Sequence, residues 1–341
     1  MVTIKDIAKK AQVSVTTVSR ALNGYDDVNK ETRKKIIGVA EQLGYSPNIA
    51  ARSLISKKTK TIGLLLSNVT RASSKDNIVF EVLCGMNDRA GELDYDLVLF
   101  STTPQKQKIK SYKKLCNERG VDGVIISGIR LDDPYLEEIV SSDIPCVLID
   151  IPLQGPNVGY VTSDNVKGAY TAVRHLLDNG HRHIGLINGH SQADVSIHRL
   201  KGYADALESC GIPYNEAYVV DGAFSESGAR EAMYRLYSRF PELTAVFCAS
   251  DLMALGAIQA VQGLGRLVPE DISVVGFDNI DLTAYHSPAI TTVNQHKYET
   301  GYQAAQLLVD MLEGRNVNHH IVLNTELVKR ESVRSLTRSN G

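Results

Sequence analysis

With 341 residues, 43% of them hydrophobic, the chain is long enough for two or more units, each with its own core. The five cysteines (Cys84, Cys116, Cys146, Cys210 and Cys248) are odd in number and widely spaced, so they read as buried free thiols and not as a disulfide framework. The formal net charge of −2 hides a division, because residues 1–60 carry a net +7 and residues 61–341 a net −9, which assigns any affinity for a polyanion to the N-terminal end. The N-terminus lacks a continuous apolar stretch, and the longest apolar runs, such as Ile62 to Leu66, fall far short of the ~18 residues of a membrane span. No CxxC pair occurs, and His181 with His183 is a lone pair, so a cytoplasmic protein without membrane, metal or cofactor is expected.

The first segment, TIKDIAKKAQVSVTTVSRALN, holds two short helical patterns. Ile4, Ile7, Ala8 and Ala11 fall at i, i+3, i+4 and i+7, with Thr3 and Asp6 spaced as a capping-box start. Val13 faces the core, Ser14 is placed as an N-cap, and Val18, Ala21 and Leu22 form the buried stripe of a second helix. Its other face carries Val15, Thr16, Thr17, Ser19 and Arg20, side chains that suit a major groove, where methyls meet thymine and Arg takes guanine O6 and N7 as a pair. A solvated helical hairpin would share this pattern, but the next residues add a third helix that starts at Asn29, buries Ile36, Ile37, Ala40 and Leu43, and stops at Gly44. Three helices then enclose one small core. Pro47 suits the opening of a short helix, Asn48 through Leu54 can form about two turns, and Lys57, Lys58 and Lys60 are linker-like.

VSVTTVSRALN followed by GYSPNIAARSL resembles the LacI/GalR family of bacterial repressors, and the resemblance extends over essentially the whole chain. It implies that Val15, Thr16 and Arg20 read base edges, that Thr17, Ser19, Asn23 and Asn48 contact phosphates, and that Leu54 wedges into the minor groove at the operator's centre. The expected division is a helix-turn-helix domain (1–46), a hinge helix and linker (47–60) and an effector-binding and dimerisation core (61–341).

From Thr61 onward, apolar runs alternate with helical patterns. Strands are expected at Ile62–Leu66, Leu97–Phe100, Gly123–Ser127, Cys146–Ile149, Ile184–Ile187, Tyr218–Val220, Ala245–Ala249 and Ser273–Phe277. Continuous apolar runs of this length, each followed by helix, indicate parallel strands covered on both faces, so the fold class is α/β. Splits near Tyr160 to Ser163 and near Thr291 to Gln295 divide the core into lobe 1 (about 61–162 and 291–322) and lobe 2 (about 163–290 and 323–335), with His319 to Val333 returning through both as extended chain. This resembles the two-lobed type I periplasmic-binding-protein core of the same family, whose ligand lies in the cleft beyond the carboxyl ends of the strands.

Asp150 ends the run PCVLI and Asp278 the run SVVGF, so both carboxylates stand at strand ends facing that cleft, although an acid there also serves as an ordinary cap. The resemblance implies that Asp278 accepts effector hydrogen bonds, that Arg199 binds effector hydroxyls or base edges, and that Phe224 offers a stacking face. Ser250 stands where many sugar-binding members carry Asn, and Ala193 where the family's purine repressor has an arginine, which disfavours a purine. Arg71 and Lys75, in the polar loop Asn68 to Asn77, read as solvated cations.

Catalysis is not expected. No P-loop is present, Gly263-Leu264-Gly265 lacks its third glycine and follows a helix, and Gly189 to Ala193 only half-matches a nucleophile elbow. The reading is a dimeric transcriptional repressor that binds a pseudopalindromic operator, with affinity set by a sugar-like effector between the lobes. Two alternatives are a global catabolite regulator governed by a phosphorylated carrier protein docked on the core, and an exported sugar-binding protein, which the DNA-reading head contradicts. The tail after Val333 lacks leucine heptads, which favours a dimer over a tetramer. If Leu54 unstacks a central base step, Leu54→Ala weakens binding to a selected operator more than binding to random duplex in fluorescence anisotropy, and equal losses on both would remove the wedge.

Overall fold

The computed structural model describes residues 2–22, 25, 27–45, 58–67, 77–102, 104–107 and 109–336. The expectations placed on Asn23, on Asn48 to Leu54 and on the loop residues Arg71 and Lys75 lie outside these residues. The chain divides into two compact units, Met1–Thr59 and Lys60–Gly341.

The first unit contains α1 (Ile4–Ala11), α2 (Val15–Leu22) and α3 (Lys30–Gln42). Each begins on a local cap. The Asp6 carboxylate accepts from the Thr3 N–H and from the Thr3 hydroxyl, both at 2.8 Å, and these bonds hold its pKa below the usual carboxylate value. Ser14 Oγ accepts from the Thr17 N–H at 3.0 Å, and Asn29 Oδ1 from the Glu31 N–H at 2.8 Å. Gly44, at φ 62, follows α3 where only a left-handed residue continues the turn. Ile7, Ala8, Ala11, Val18, Ala21, Val28, Ile36 and Ala40 form the core. Ile37, expected inside, is 41% exposed, because the 100° advance per residue turns it off the Ile36–Ala40 stripe.

In the second unit the elements run β1 (Thr61–Leu66), α4 (Ile78–Glu92), β2 (Asp96–Ser101), α5 (Pro104–Gln107), α6 (Tyr112–Arg119), β3 (Gly123–Ser127), α7 (Tyr135–Ser141), β4 (Cys146–Ile149) and β5 (Val158–Ser163). They continue as α8 (Asn165–Asp178), β6 (Ile184–Asn188), α9 (Asp194–Glu208), β7 (Val219–Asp221), α10 (Glu226–Arg239), β8 (Ala245–Cys248), α11 (Asp251–Gly263), β9 (Ser273–Asp278), α12 (Asp281–Tyr285), β10 (Thr291–Gln295), α13 (Lys297–Leu312), β11 (His320–Leu323) and β12 (Thr325–Val328). Two six-stranded sheets result, in the orders β11-β5-β4-β3-β1-β2 and β12-β10-β9-β8-β6-β7. Strand pairing is parallel throughout except between β10 and β12. Central strands such as β3 and β4 are apolar and almost wholly buried, as a sheet covered on both faces requires.

The chain crosses between lobes three times, next to Asp164, His296 and Asn324. This corrects the expected boundaries. Thr291–Gln295 pairs with β9 and is a strand of the second lobe, so the first lobe resumes only with Lys297; at the other end Leu323 pairs with Ser163 and remains in the first lobe. The Asp164 N–H bonds the Leu323 carbonyl at 2.8 Å, fastening two of the crossings to each other. In the first lobe α4 and α13 touch through glycine. A Cβ on Gly85 would lie 2.0 Å from the Tyr298 carbonyl oxygen and one on Gly301 1.9 Å from that of Val82, so only glycine allows the two backbones to meet this closely. Of the five thiols, all free, Cys116, Cys146 and Cys248 are buried, whereas Cys84 and Cys210 are only half-buried.

At the base of the second lobe His181 is fully enclosed, with Nε2 3.1 Å from the Arg334 carbonyl oxygen and Nδ1 3.0 Å from Thr244 Oγ1. The carbonyl only accepts, so Nε2 carries the proton and Nδ1 accepts from the hydroxyl in the neutral ring. Burial lowers the pKa from 6.5 to about 4. The unfolded chain therefore takes up the proton first, and the stability His181 confers is complete above pH 6.5 and lost as pH falls toward about 4. Urea midpoints measured across that window fall more steeply for wild type than for His181→Asn, and parallel curves would assign the acid sensitivity to other groups.

Candidate functional site

On α2 the structure turns Val15, Thr16 and Arg20 outward, while Val18 and Ala21 are buried and Thr17 and Ser19 are half-buried. The outward face therefore offers a methyl pair, a hydroxyl and a guanidinium on one short helix. The Arg20 guanidinium is already engaged. Its Nε lies 3.1 Å from Asp27 Oδ1 and its Nη2 2.6 Å from Asp27 Oδ2, and its carbon stands 4.9 Å from the centre of the Tyr25 ring.

In the core the loops after β3 and β6 meet where the Leu131 N–H bonds the Gln192 carbonyl at 2.9 Å, which brings the carboxyl ends of the two sheets near each other, and the residues expected there divide by role. Asp150 follows β4 at φ 62, with Oδ1 accepting from the Thr162 hydroxyl at 2.8 Å. Burial raises its pKa, opposed by that bond and by the charge of Arg199. Arg199, on α9, is not a solvated residue: it is 3% exposed, donates from Nε to Asn165 Oδ1 at 2.9 Å and from Nη1 to the Ala249 carbonyl at 2.5 Å, and lies 3.8 Å above the Phe277 ring. Its Nη1 is 3.8 Å from Asp278 Oδ1. Burial lowers its pKa, while Asp278, Asp150 and Asp251 act in the other direction. Asp278 ends β9 and accepts from Gln295 Nε2 at 2.6 Å. Phe224, at φ 50, lies against Gly189 and meets the His190 ring edge-on at 5.6 Å. Ser250 has a structural task, since its hydroxyl accepts from the Met253 N–H at 3.2 Å and caps α11.

Several polar residues of the cleft escape the sequence reading. Asn188 ends β6 much as Asp278 ends β9, and Gln295 ends β10, so a polar residue closing an apolar run is the available signal; for Gln295 it is hidden because its strand reads as a crossing. Asn188 donates to the Ser196 carbonyl at 3.0 Å, yet Asn188 Oδ1, Ser196 Oγ and His190 Nδ1 are buried without a protein hydrogen-bond partner. Asp251 accepts from the Ile280 N–H at 2.9 Å and from the Thr292 hydroxyl at 2.6 Å, and burial together with the Asp278 charge raises its pKa well above the ordinary value. These bonds tie down the turn Asp278-Asn279, which runs through φ values of 118 and 54. Lys297, the first residue of α13, reaches into the same turn, donating to the Asp278 carbonyl at 2.8 Å and the Asn279 carbonyl at 3.3 Å, with Glu81 Oε1 of α4 at 3.6 Å. A separate cavity of about 290 Å³, lined by Arg182, Tyr203, Leu207 and Tyr218 among others, lies at the amino end of β6, away from these groups. Among the described residues no His, Cys, Asp or Glu cluster could hold a metal, and no helix is long and apolar enough to cross a membrane.

A three-helix head with an outward polar helix face, joined to a two-lobed α/β core with a polar cleft, defines a DNA-binding regulator. The chain belongs to the LacI family of bacterial regulatory proteins: residues 3–48 match the family model "Bacterial regulatory proteins, lacI family", and residues 173–333 match a periplasmic binding protein-like domain. It is 36% identical over 338 residues to the HTH-type transcriptional repressor PurR of Photobacterium profundum, an alignment that covers 98% of this chain and all of that one. Among solved structures it is similar to the lac repressor dimer bound to operator and an anti-inducer (TM-score 0.80, 28% identity, 98% of this chain and 99% of that one). It is also similar to the transcriptional regulator CelR in complex with cellobiose (TM-score 0.76, 32% identity, 97% and 100%). The protein is a transcriptional repressor of this family and, like these relatives, not an enzyme.

Removing the Lys297 ammonium leaves the buried Asp278 carbonyl short of a donor, at about 1–3 kcal/mol, and the partly buried Asn279 carbonyl at about 1 kcal/mol. Lys297→Met therefore lowers the unfolding free energy by about 2–4 kcal/mol in urea titration, and a loss below about 0.5 kcal/mol would show that the turn does not depend on it.

Proposed function

We propose that the protein represses transcription as a homodimer on a pseudopalindromic operator, and that its operator affinity is set by a sugar or sugar derivative bound between the lobes. The observation that carries the effector reading is the buried polar floor of the cleft. Arg199 and Asp278 are nearly inaccessible, and from the end of β6 to the start of α9 Asn188 Oδ1, His190 Nδ1 and Ser196 Oγ are buried without a protein hydrogen-bond partner. Polar atoms in such positions are costly unless satisfied, and a polyhydroxylated ring supplies donors and acceptors at that density. The Phe224 ring adds an apolar face for such a ring to lie against. The cellobiose bound by the similar regulator supports the same ligand class.

In this reading Val15, Thr16 and Arg20 contact bases, Thr17, Ser19, Asn23 and Asn48 contact phosphates, and Leu54 wedges the operator's centre. Asp150, Arg199, Phe224 and Asp278 contact the effector, with Ser250 contributing through its place at the head of α11. The operator-bound dimer among the similar structures supports a second copy of the chain. A purine base is the competing reading, favoured by the name of the relative from Photobacterium profundum, and Ala193 speaks against it because it brings no cation to the start of α9. The carrier-protein alternative has no feature of the structure behind it and is set aside.

The test is a thermal-shift screen of sugars, sugar phosphates and purines, followed by operator titration with the hit. Asp278→Ala binds operator like wild type without ligand and needs about ten- to a hundredfold more effector to shift that binding, the cost of one charge-assisted hydrogen bond. If Asp278→Ala and Arg199→Ala both kept the wild-type effector midpoint, the cleft would not be the regulatory site; if guanine or hypoxanthine were the hit, the sugar class would be replaced.

A further inference from the structure

The carboxylate on Arg20 has no evident use in stability. The pair is half-exposed on both sides, and such pairs contribute little to stability in water. A negative charge next to a helix that enters a groove also adds repulsion from phosphates. Yet the segment that carries Asp27 is firmly seated. The Tyr25 N–H bonds the Arg20 carbonyl at 3.1 Å, the Val28 N–H bonds the Tyr25 carbonyl at 3.3 Å, Arg33 of α3 donates to that same carbonyl, and the Val28 side chain is buried in the head's core. Tyr25 and Val28 are thereby held against the helices, with the Asp27 carboxylate against one edge of the guanidinium and the Tyr25 ring beneath its plane.

Which edge is occupied decides the consequence. Asp27 takes the side edge, Nε and Nη2. A guanidinium has five N–H groups in a fixed plane, so a carboxylate on the side edge leaves the end edge, Nη1 with the other hydrogen of Nη2, as a second parallel pair. That is the pair that guanine O6 and N7 accept. We infer that Asp27 is a positioning residue for base recognition: it locks the Arg20 plane, with Tyr25 beneath it, so that the end edge is presented to guanine and the orientations that would reach a phosphate are suppressed. The inference rests on the reading of Arg20 as a base-contacting residue. Its chemistry is distinctive, because the acid trades general affinity for selectivity, whereas an ordinary surface acid only weakens binding to all DNA.

The experiment uses the full-length protein and a randomised double-stranded DNA library. Sequences are selected with wild type, Arg20→Ala, Asp27→Asn, Asp27→Ala and Arg20→Ala/Asp27→Asn, and affinities for the wild-type consensus and for random duplex are then measured by anisotropy over a range of salt. Asp27→Asn and Asp27→Ala are expected to bind random duplex as tightly as wild type or more tightly, while their preference for guanine at one position of each half-site falls about three- to tenfold. In the Arg20→Ala background, Asp27→Asn changes no base preference. Equal tightening on consensus and random duplex, with the consensus unchanged, would reduce Asp27 to a repelling charge and overturn the inference. An unchanged consensus for Arg20→Ala would remove direct readout by Arg20 itself, a separate result that overturns the underlying reading and the positioning role together. Asp27 is half-exposed and outside the core, so circular dichroism of both Asp27 variants is expected to match wild type; a variant that loses helix would show that Asp27 serves the fold, which also overturns the inference.

Discussion

A guanidinium taken into the interior of an α/β lobe imposes conditions on everything around it, and in this protein that group is Arg199. A buried cation is tolerated only where its donors are used and an opposite charge is near. Its Nε requires an acceptor at the start of α8, which Asn165 supplies; its Nη1 requires the Ala249 carbonyl just beyond β8; its charge requires Asp278 at the end of β9, with the face of Phe277 beneath it. Two strand ends and two helices are thus committed to one side chain. Asp278 in turn stands on a turn with two left-handed residues, and that turn is held by Asp251, by Lys297 and, through Asn279 Oδ1, by Arg330 from the returning C-terminal segment. The polarity of the cleft floor is therefore built into the packing of the lobe and is not an addition to it.

The crossings carry the second constraint. Lys297 begins the helix that returns the chain to the first lobe, but its ammonium bonds carbonyls of the second. The far end of the same helix is followed by Glu313, which pairs at 3.3 Å with Lys60, the residue at which the core begins. With α4 pressed against α13 at Gly85 and Gly301, this pair of helices has little freedom to bend or slide, since a packed contact between backbones moves as a unit. One rigid element of the first lobe thus joins the turn that bears Asp278 to the residue that opens the way into β1.

What can be read from the sequence follows from the range of the forces involved. The head is legible because helix caps are local: Thr3 with Asp6, Ser14 with Thr17 and Asn29 with Glu31 lie within three residues of each other. The central strands are legible because burial on both faces makes them uniformly apolar. β5, β11 and β12 are not, since partly exposed positions interrupt their apolar pattern, and β10, Thr-Thr-Val-Asn-Gln, owes its burial to Asp251 and Ser332, which accept hydrogen bonds from it across long stretches of chain. Of the cleft, Asp150, Arg199, Phe224 and Asp278 can be named, because strand ends and family resemblance point to them. Asn165, Asp251 and Lys297 cannot, because each acts on a partner at least nineteen residues away, whereas Asn188 carries the same strand-end signal as Asp278 but no family motif singles it out.

Both units place an arginine against an aspartate, and the comparison shows how burial divides the meaning of one interaction. In the head the Arg20–Asp27 contact is close and two-pronged but lies in water, where it adds little free energy and acts mainly on direction. In the core the Arg199–Asp278 contact is looser, at 3.8 Å, but both side chains are almost fully enclosed, so removing either one strands a charge in a medium that cannot solvate it. The exposed pair leaves the end edge of its guanidinium, Nη1 with the second hydrogen of Nη2, unoccupied by Asp27. The buried pair is held by that cost, and so the effector proposed above would meet a floor whose charges are already balanced and whose geometry is already set, which leaves differential contact with the two lobes as its means of shifting the protein between states.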